Sequence, residues 1–198
     1  MAEHYFADDP SSPLERLCVE VPAWGRSLPL QSASGVFAHG RLDRGTAVLL
    51  RSTRPPEMAG TFLDLGCGYG PIACALAVAV PGSDVWAVDV NRRALQLTGE
   101  NSQRLGIGER VHACTPEEVP AELNFDEIWS NPPIRVGKQA LHALLSRWLP
   151  RLRTSGRAVL VVGKNLGSDS LQRWFGEEGY RCERLASAKG FRVLEVRR

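Results

Sequence analysis

The stretch Thr61-Phe62-Leu63-Asp64-Leu65-Gly66-Cys67-Gly68-Tyr69-Gly70-Pro71 limits what this chain can fold into more than any other. A short apolar run carries a carboxylate, three glycines follow at alternate positions, and a proline opens an apolar segment from Ile72 to Val80. The pattern predicts a strand, a tight turn and a helix. Proline suits the first helical position, where no amide hydrogen is needed. Glycines permit both a sharp turn and a close approach of backbone to a ligand. In a parallel sheet such a turn lies at the carboxyl edge of the strands, where ligands bind. A purely structural turn is the other reading of the same residues.

Two further stretches carry chemistry. Asp84-Val85-Trp86-Ala87-Val88-Asp89-Val90 reads as a buried strand. It ends in a carboxylate about 20 residues past the glycine loop, where an acid grips ribose hydroxyls. A carboxylate accepts strongly from two neighbouring hydroxyls. Asp89 could instead cap the helix from Asn91 to Leu105, although Asn91 can do that itself. Downstream, Phe125-Asp126-Glu127-Ile128-Trp129-Ser130 reads as a strand running into Asn131-Pro132-Pro133-Ile134. Two prolines enforce an extended backbone poor in internal hydrogen bonds. Their carbonyls stay free, and Asn131 adds another acceptor, so a planar NH2 group could be held by both hydrogens. A simple turn is the alternative. The position one strand-helix-strand passage after the glycine loop favours a site.

The spacing D-x-G-x-G-x-G, with Pro71 after Gly70, departs from the G-x-G-x-x-G of nicotinamide and flavin sites. It resembles motif I of the S-adenosylmethionine-dependent methyltransferases. Asn131-Pro132-Pro133 resembles motif IV of those that alkylate a conjugated exocyclic nitrogen. Gly35-Val36-Phe37 and Asp43-Arg44-Gly45-Thr46-Ala47-Val48-Leu49-Leu50 resemble the G-V-F…D-x-G-T-x-L-L signature of the "small-domain" group, which contains the ribosomal RNA guanine-N2 enzymes. The run from Asn131 to Lys138 resembles the same branch. Ile134 stands where the adenine-N6 and glutamine-N5 branches usually carry an aromatic residue.

This resemblance, from Gly35 to Arg198, implies an α/β fold: a doubly wound, mostly parallel seven-stranded sheet with a reversed edge strand. It implies S-adenosyl-L-methionine as cofactor and the N2 amine of a guanine in RNA, in small-subunit ribosomal RNA or a ribosomal particle, as substrate. Transfer to a protein glutamine or to adenine N6 is an alternative, as is a non-catalytic cofactor-sensing or RNA-binding domain. By the same resemblance, Asp64, Gly66, Cys67, Gly68, Asp89, Val90, Cys114, Thr115 and Thr46 hold the cofactor, with Asp64 orienting the glycine loop and the methionine part. Asn131, Pro132, Pro133 and Ile134 are catalytic, and Phe37, Asp43, Arg135 and Lys138 meet the substrate. The family often has an acid beside the adenine where this chain has Cys114-Thr115-Pro116-Glu117. That leaves amides near Cys114 and Thr115, or the Glu117 side chain, to make the contact.

The chemistry asks little more. The target nitrogen is a poor nucleophile because its lone pair is delocalised into the ring. Acceptors at Asn131 and Pro132 would aim that lone pair at the methyl group, at an approach of ~3–3.5 Å. The proton can leave after transfer, so no general base is required, and a paired base would have to be flipped out to react.

Length and composition bound the rest. The 198 residues predict one domain with room for a substantial core. Residues 1–13 are expected as a mobile leader, 14–58 as a hairpin and capping helix, and 59–198 as the catalytic domain. Leu14 to Val21 alternates like a strand with Leu17, Val19 and Val21 inward, and Arg26 to Ser34 returns beside it. Asp43 is placed to cap the next helix. Leu141, Leu144, Leu145, Trp148 and Leu152 share one helical face, Gly156 to Gly163 holds a strand, and Ser168 can cap another helix. A hairpin around Lys189-Gly190 ends the chain.

No apolar run reaches the ~18 residues of a membrane span, and no signal peptide opens the chain. Cys18, Cys67, Cys74, Cys114 and Cys182 form no C-x-x-C pair, which predicts reduced thiols in a cytoplasmic protein. His4, His39, His112 and His142 lack metal-ligand spacing, so no metal is expected. The net charge of +2 is too small to argue for nucleic acid. Only Lys138, Lys164 and Lys189 among the 24 basic residues are lysine. Arginine suits phosphates and base stacking, with coding bias as the plainer explanation. The five tryptophans read as packing residues.

Overall fold

The computed structural model describes residues 15–38, 40–132, 137–164 and 167–198. The leader at 1–13 lies outside the described residues. Strands β1 (Arg16–Ala23) and β2 (Arg26–Ala33) form an antiparallel hairpin with a sheet of its own. Val19, Val21, Ala23, Leu28 and Leu30 are buried between exposed neighbours. This is the period of two that one buried face imposes on a strand. Leu17, expected on that inner face, is instead 48% exposed. The turn residues Trp24 and Gly25 both have positive φ, 45° and 80°, which matches the strand twist in a two-residue turn. Trp24 is held there by its indole N–H, which donates to the Thr53 carbonyl at 3.0 Å, and by edge-on contact with Trp129.

Helix α1 (Arg44–Ser52) leads to β3 (Thr61–Leu65), α2 (Pro71–Ala79), β4 (Asp84–Val88), α3 (Arg92–Arg104), β5 (Val111–Cys114), β6 (Phe125–Ser130) and α4 (Lys138–Trp148). Then come β7 (Leu152–Gly163), α5 (Ser168–Glu177), β8 (Arg181–Ala188) and β9 (Phe191–Arg197). The seven-stranded sheet has the order β5-β4-β3-β6-β7-β9-β8. Strands β3 to β7 are parallel, and β9 runs antiparallel to both β7 and β8. The reversed strand therefore sits one place in from the edge. Chain order reverses between β3 and β6, which puts their carboxyl ends side by side at the switch point.

One face of the sheet packs against α1, α2, α3 and the hairpin, and the other against α4 and α5. Every residue of α2 from Pro71 to Ala77 is buried, because sheet, α1 and α3 surround it. Of these, Ile72 and Leu76 each contribute about 1.5–3 kcal/mol by burial. Hairpin residues share one apolar cluster with Phe62, Trp129 and Val159 of the main sheet, so the extension is part of the core. Trp129 and Trp148 are wholly buried and Trp24, Trp86 and Trp174 partly so; they are packing residues.

Three local expectations need correction. Leu152 does not continue the α4 face: the helix ends at Trp148, a short turn contains Pro150, and Leu152 begins β7. Strand β7 is accordingly longer than the Gly156–Gly163 core of it. Ser168 is the first residue of α5, not its cap; Gly167 takes that position, and the Ser168 hydroxyl donates back to the Lys164 carbonyl.

Candidate active site

Motif I is a web of hydrogen bonds between the β3–α2 turn and its neighbours. The amides of Gly66 and Cys67 both donate to the Val88 carbonyl, at 2.8 and 3.0 Å. Gly68 donates to Asp89 Oδ2 at 2.9 Å, and the Thr98 hydroxyl donates to the Gly68 carbonyl at 3.0 Å. Asn101 donates to the Tyr69 carbonyl, and the Tyr69 hydroxyl to that of Arg41. Gly70 has φ +88°, and a Cβ there would meet Thr98 Oγ1 at 2.9 Å, so only glycine fits. A Cβ on Gly68 would meet nothing within 4 Å: this part of the loop faces open space.

Asp64 does not orient the loop glycines directly. Its Oδ2 accepts from the Ala73 amide in the first turn of α2, at 2.8 Å. Its Oδ1 is buried with no partner among the described residues. Burial raises the Asp64 carboxyl to about 8, against the pull of the Ala73 amide and with help from the Asp89 charge. An unfolded aspartate ionises near pH ~3.9. Between that pH and the folded value the unfolded chain has released a proton that the folded chain keeps, so stability falls as pH rises through the window. Asp64→Asn carries no such proton. Its melting temperature relative to wild type is expected to rise from about pH 5 to about pH 8, and a constant difference would contradict the buried, proton-holding state of Asp64.

Asp89 follows β4, with Oδ2 on the Gly68 amide and Oδ1 on the Asn91 amide at 3.0 Å. The carboxylate keeps acceptor capacity for a further donor. Burial raises its pKa, and the amides of Asn91, Gly68 and Val90 lower it. Asn91 caps α3 through the Ala94 amide, leaving Asp89 out of the cap. Val90 beside it is 43% exposed, an apolar surface at the mouth of the site.

The third strand behaves differently. Cys114 and Thr115 are half-buried at the end of β5, where the Cys114 carbonyl accepts from the Asp89 amide. The Thr115 amide, expected to face adenine, is taken by Glu118 Oε2 at 2.7 Å. Glu117 is exposed and pairs with Arg147. Burial holds the Cys67 and Cys74 thiols in their neutral form, pushing Cys74 up to about 12. Cys67 thus contributes backbone and bulk. Among the described residues no cluster of His, Cys, Asp and Glu could hold a metal ion, and no helix is long and apolar enough to cross a membrane.

Asn131 and Pro132 follow β6 directly, beside the end of β3. The Asn131 amide nitrogen donates to Asp43 Oδ2 at 2.7 Å and to Thr46 Oγ1 at 3.0 Å. Asp43 also caps α1 through the amides of Gly45 and Thr46. Thr46, expected at the cofactor, therefore meets Asn131. Phe37 is 45% exposed on the segment leading to α1. That segment is tied to α3 by Asn91, which donates to the Gly35 carbonyl at 2.9 Å. Lys138 opens α4 and is exposed. Pro133, Ile134 and Arg135 lie outside the described residues. Thr98 and Asn101 read as one more helical face in the sequence, and only their polarity on that buried face signals the loop they hold.

The sheet order and the glycine loop at its switch point define a Rossmann-like fold. Residues 27–195 match the family model "Methyltransferase small domain", and the chain belongs to that family. It is 30% identical to an uncharacterized protein, YbxB, of Bacillus subtilis, over the whole of both chains. It is 40% identical to a ribosomal RNA small subunit methyltransferase C of Ectopseudomonas mendocina over 86% of this chain and 52% of that protein. Among solved structures, a T. thermophilus 16S rRNA N2 methyltransferase in complex with AdoMet and guanosine has the same fold. Its TM-score is 0.77 at 24% identity, covering 96% of this chain and 52% of that one. The chain thus spans about half the length of these ribosomal RNA enzymes.

S-adenosylmethionine is the cofactor that goes with this family, and the site fits it. Asp64 Oδ1 is a buried carboxyl oxygen with no donor among the described residues, Gly68 leaves room for a ligand against the backbone, and Asp89 has free lone pairs for vicinal hydroxyls.

Proposed function

We propose that the protein transfers a methyl group from S-adenosylmethionine to the N2 amine of a guanine in RNA, in small-subunit ribosomal RNA. One observation carries the reading. The Asn131 amide gives its nitrogen to Asp43 and Thr46, so its carbonyl oxygen is left as an acceptor at the end of β6, beside β3, and the carbonyl of the next residue, Pro132, would supply a second. Two acceptors of that kind suit a planar exocyclic amine. S-adenosylmethionine supplies a methyl group on a positively charged sulfur, a leaving group already activated. The chain's task is then orientation. Asn131 and Pro132 accept from the amine's hydrogens and turn its lone pair toward the methyl group, converting binding into alignment. The amine loses a proton after the new C–N bond forms, and no side chain has to remove it first.

The relatives named for ribosomal RNA methylation, and the solved relative's bound guanosine, support guanine in RNA over adenine or a protein amide. So does the charge at the carboxyl edge. All three lysines belong there: Lys138 after β6, Lys164 after β7 and Lys189 in the β8–β9 turn, each exposed. The Lys164 amide donates to the Gly190 carbonyl at 2.7 Å, which sets Lys164 and Lys189 side by side. With Arg135, they would meet phosphates. Replacing the three lysines by glutamine is expected to weaken RNA binding and flatten its dependence on log salt, by roughly 0.7 for each single-strand phosphate that is no longer neutralised. Unchanged affinity and slope would remove these side chains from the interface. The reading as a whole is tested by incubating tritiated S-adenosylmethionine with ribosomal RNA, small-subunit particles and release factors. Label in RNA or particles is expected; label confined to protein favours the glutamine alternative, and none at all favours a non-catalytic domain. A cytoplasmic location goes with this substrate.

A further inference from the structure

We infer that Asp43 and Thr46 are positioning residues for Asn131, holding its amide by the nitrogen so that its oxygen alone is presented to the accepting amine. The inference rests on the methyl-transfer reading for its chemistry and on the hydrogen bonds for its geometry. Asp43 Oδ2 accepts from three donors: the Gly45 amide at 2.7 Å, the Thr46 amide at 3.2 Å and Asn131 Nδ2 at 2.7 Å. Capping a helix needs only the first two, which serine or threonine would also make. The third reaches a residue 88 positions away, and Thr46 Oγ1 makes a second bond to the same nitrogen at 3.0 Å.

An ionised carboxylate only accepts, so the nitrogen end of the Asn131 amide must face Asp43. Turning the amide over would set its oxygen against the carboxylate at hydrogen-bond distance. The orientation is therefore fixed by charge, and the ordering of the side chain is completed on folding, before any substrate binds. That is preorganisation of the kind that lowers a barrier. The carboxylate on the nitrogen end also pushes electron density through the amide toward the Asn131 oxygen. That oxygen becomes a better acceptor as the amine turns cationic during transfer. Gly45 fits the same purpose: a Cβ there would stand 3.0 Å from Asn131 Oδ1 and 2.9 Å from Asp43 Oδ2. The D-x-G-T segment thus has a role at every specified position: a carboxylate and a hydroxyl to hold the amide, and a glycine to leave it room.

The test separates this role from helix capping. Asp43→Ser keeps a capping oxygen but is too short to reach Asn131, and Thr46→Val keeps shape without the acceptor. Each is expected to slow single-turnover methyl transfer on the order of 10- to 100-fold, as misplacement of a reacting group does. Cofactor affinity and melting temperature should stay close to wild type. Asp43→Asn, which keeps an accepting oxygen and loses the charge, should fall between. In an Asn131→Ala background, Asp43→Ser should slow transfer no further, because the group it positions is gone. A readout independent of activity is the 15N-resolved side-chain amide of Asn131. Its two protons should be well separated and slow to exchange in wild type, and should lose both properties in Asp43→Ser.

Wild-type transfer by Asp43→Ser, an unaltered amide signature in that variant, or independent effects of Asp43→Ser and Asn131→Ala would each overturn the inference. A wild-type protein that shows the amide signature but methylates no RNA would overturn the substrate reading and support the hold on Asn131.

Discussion

Asn131→Ala is expected to reduce methyl transfer by at least ~10²–10³-fold, the scale on which a preorganised polar group aimed at the reacting centre acts. Cofactor affinity should stay within a few-fold of wild type. The division follows from where the groups lie. Asn131 follows β6, whereas the groups that fit the cofactor sit on β3 and just after β3 and β4. An acceptor that strengthens its bond only as the amine becomes cationic contributes more to the transition state than to ground-state binding. Substitution by alanine removes that acceptor, while Asp43 keeps its two bonds to the Gly45 and Thr46 amides as the cap of α1. Stability should change little, since Asn131 is only half-buried. Single-turnover rates and calorimetric cofactor affinity, measured on one preparation, check both halves. Full turnover by the variant would remove the mechanism.

Asp89→Ala is expected to produce the opposite division, weakening cofactor binding by about 1.5–3 kcal/mol, the range for hydrogen bonds to a charged group. Two losses coincide. The acceptor for vicinal hydroxyls disappears, and the Gly68 amide loses the partner that fixes the loop at 2.9 Å. Asp89→Asn separates them: its one remaining oxygen can hold either Gly68 or Asn91, and it carries no charge. It should bind more tightly than the alanine variant and more weakly than wild type. Calorimetry on the three proteins decides; undiminished affinity in Asp89→Ala would take Asp89 out of the cofactor site.

The features legible in the sequence are those set by neighbours along the chain. The glycine loop, Pro71 at the start of α2, Asp89 at the end of β4 and the caps of α1 and α3 depend on residues within a few positions of one another. So does the Lys189-Gly190 hairpin, whose two turn residues both have positive φ. What escapes a reading of the sequence depends on partners far away. The bond between Asn131 and Asp43 joins two motifs that each have a separate meaning in the sequence, and no periodicity connects them. Thr98 and Asn101 fit an ordinary buried helical face, so their service to the glycine loop needs the packing of α3 on α2 to become visible. Apolar spacing runs on past Trp148 and draws Leu152 into the α4 face, while Pro150 falls where the helix has already given way to a turn. The Thr115 amide is a local exception: Glu118, three residues on, stands at the Thr-x-x-Glu spacing by which a glutamate folds back onto a threonine amide.

The central claim, methyl transfer to guanine N2 held by Asn131, is tested most directly by the modified nucleoside itself. Small-subunit ribosomal RNA treated with the protein and S-adenosylmethionine is digested to nucleosides and analysed by mass spectrometry against standards, with Asn131→Ala alongside. The account predicts N2-methylguanosine from the wild type and none above background from the variant. N6-methyladenosine, or methyl label on protein alone, would contradict it.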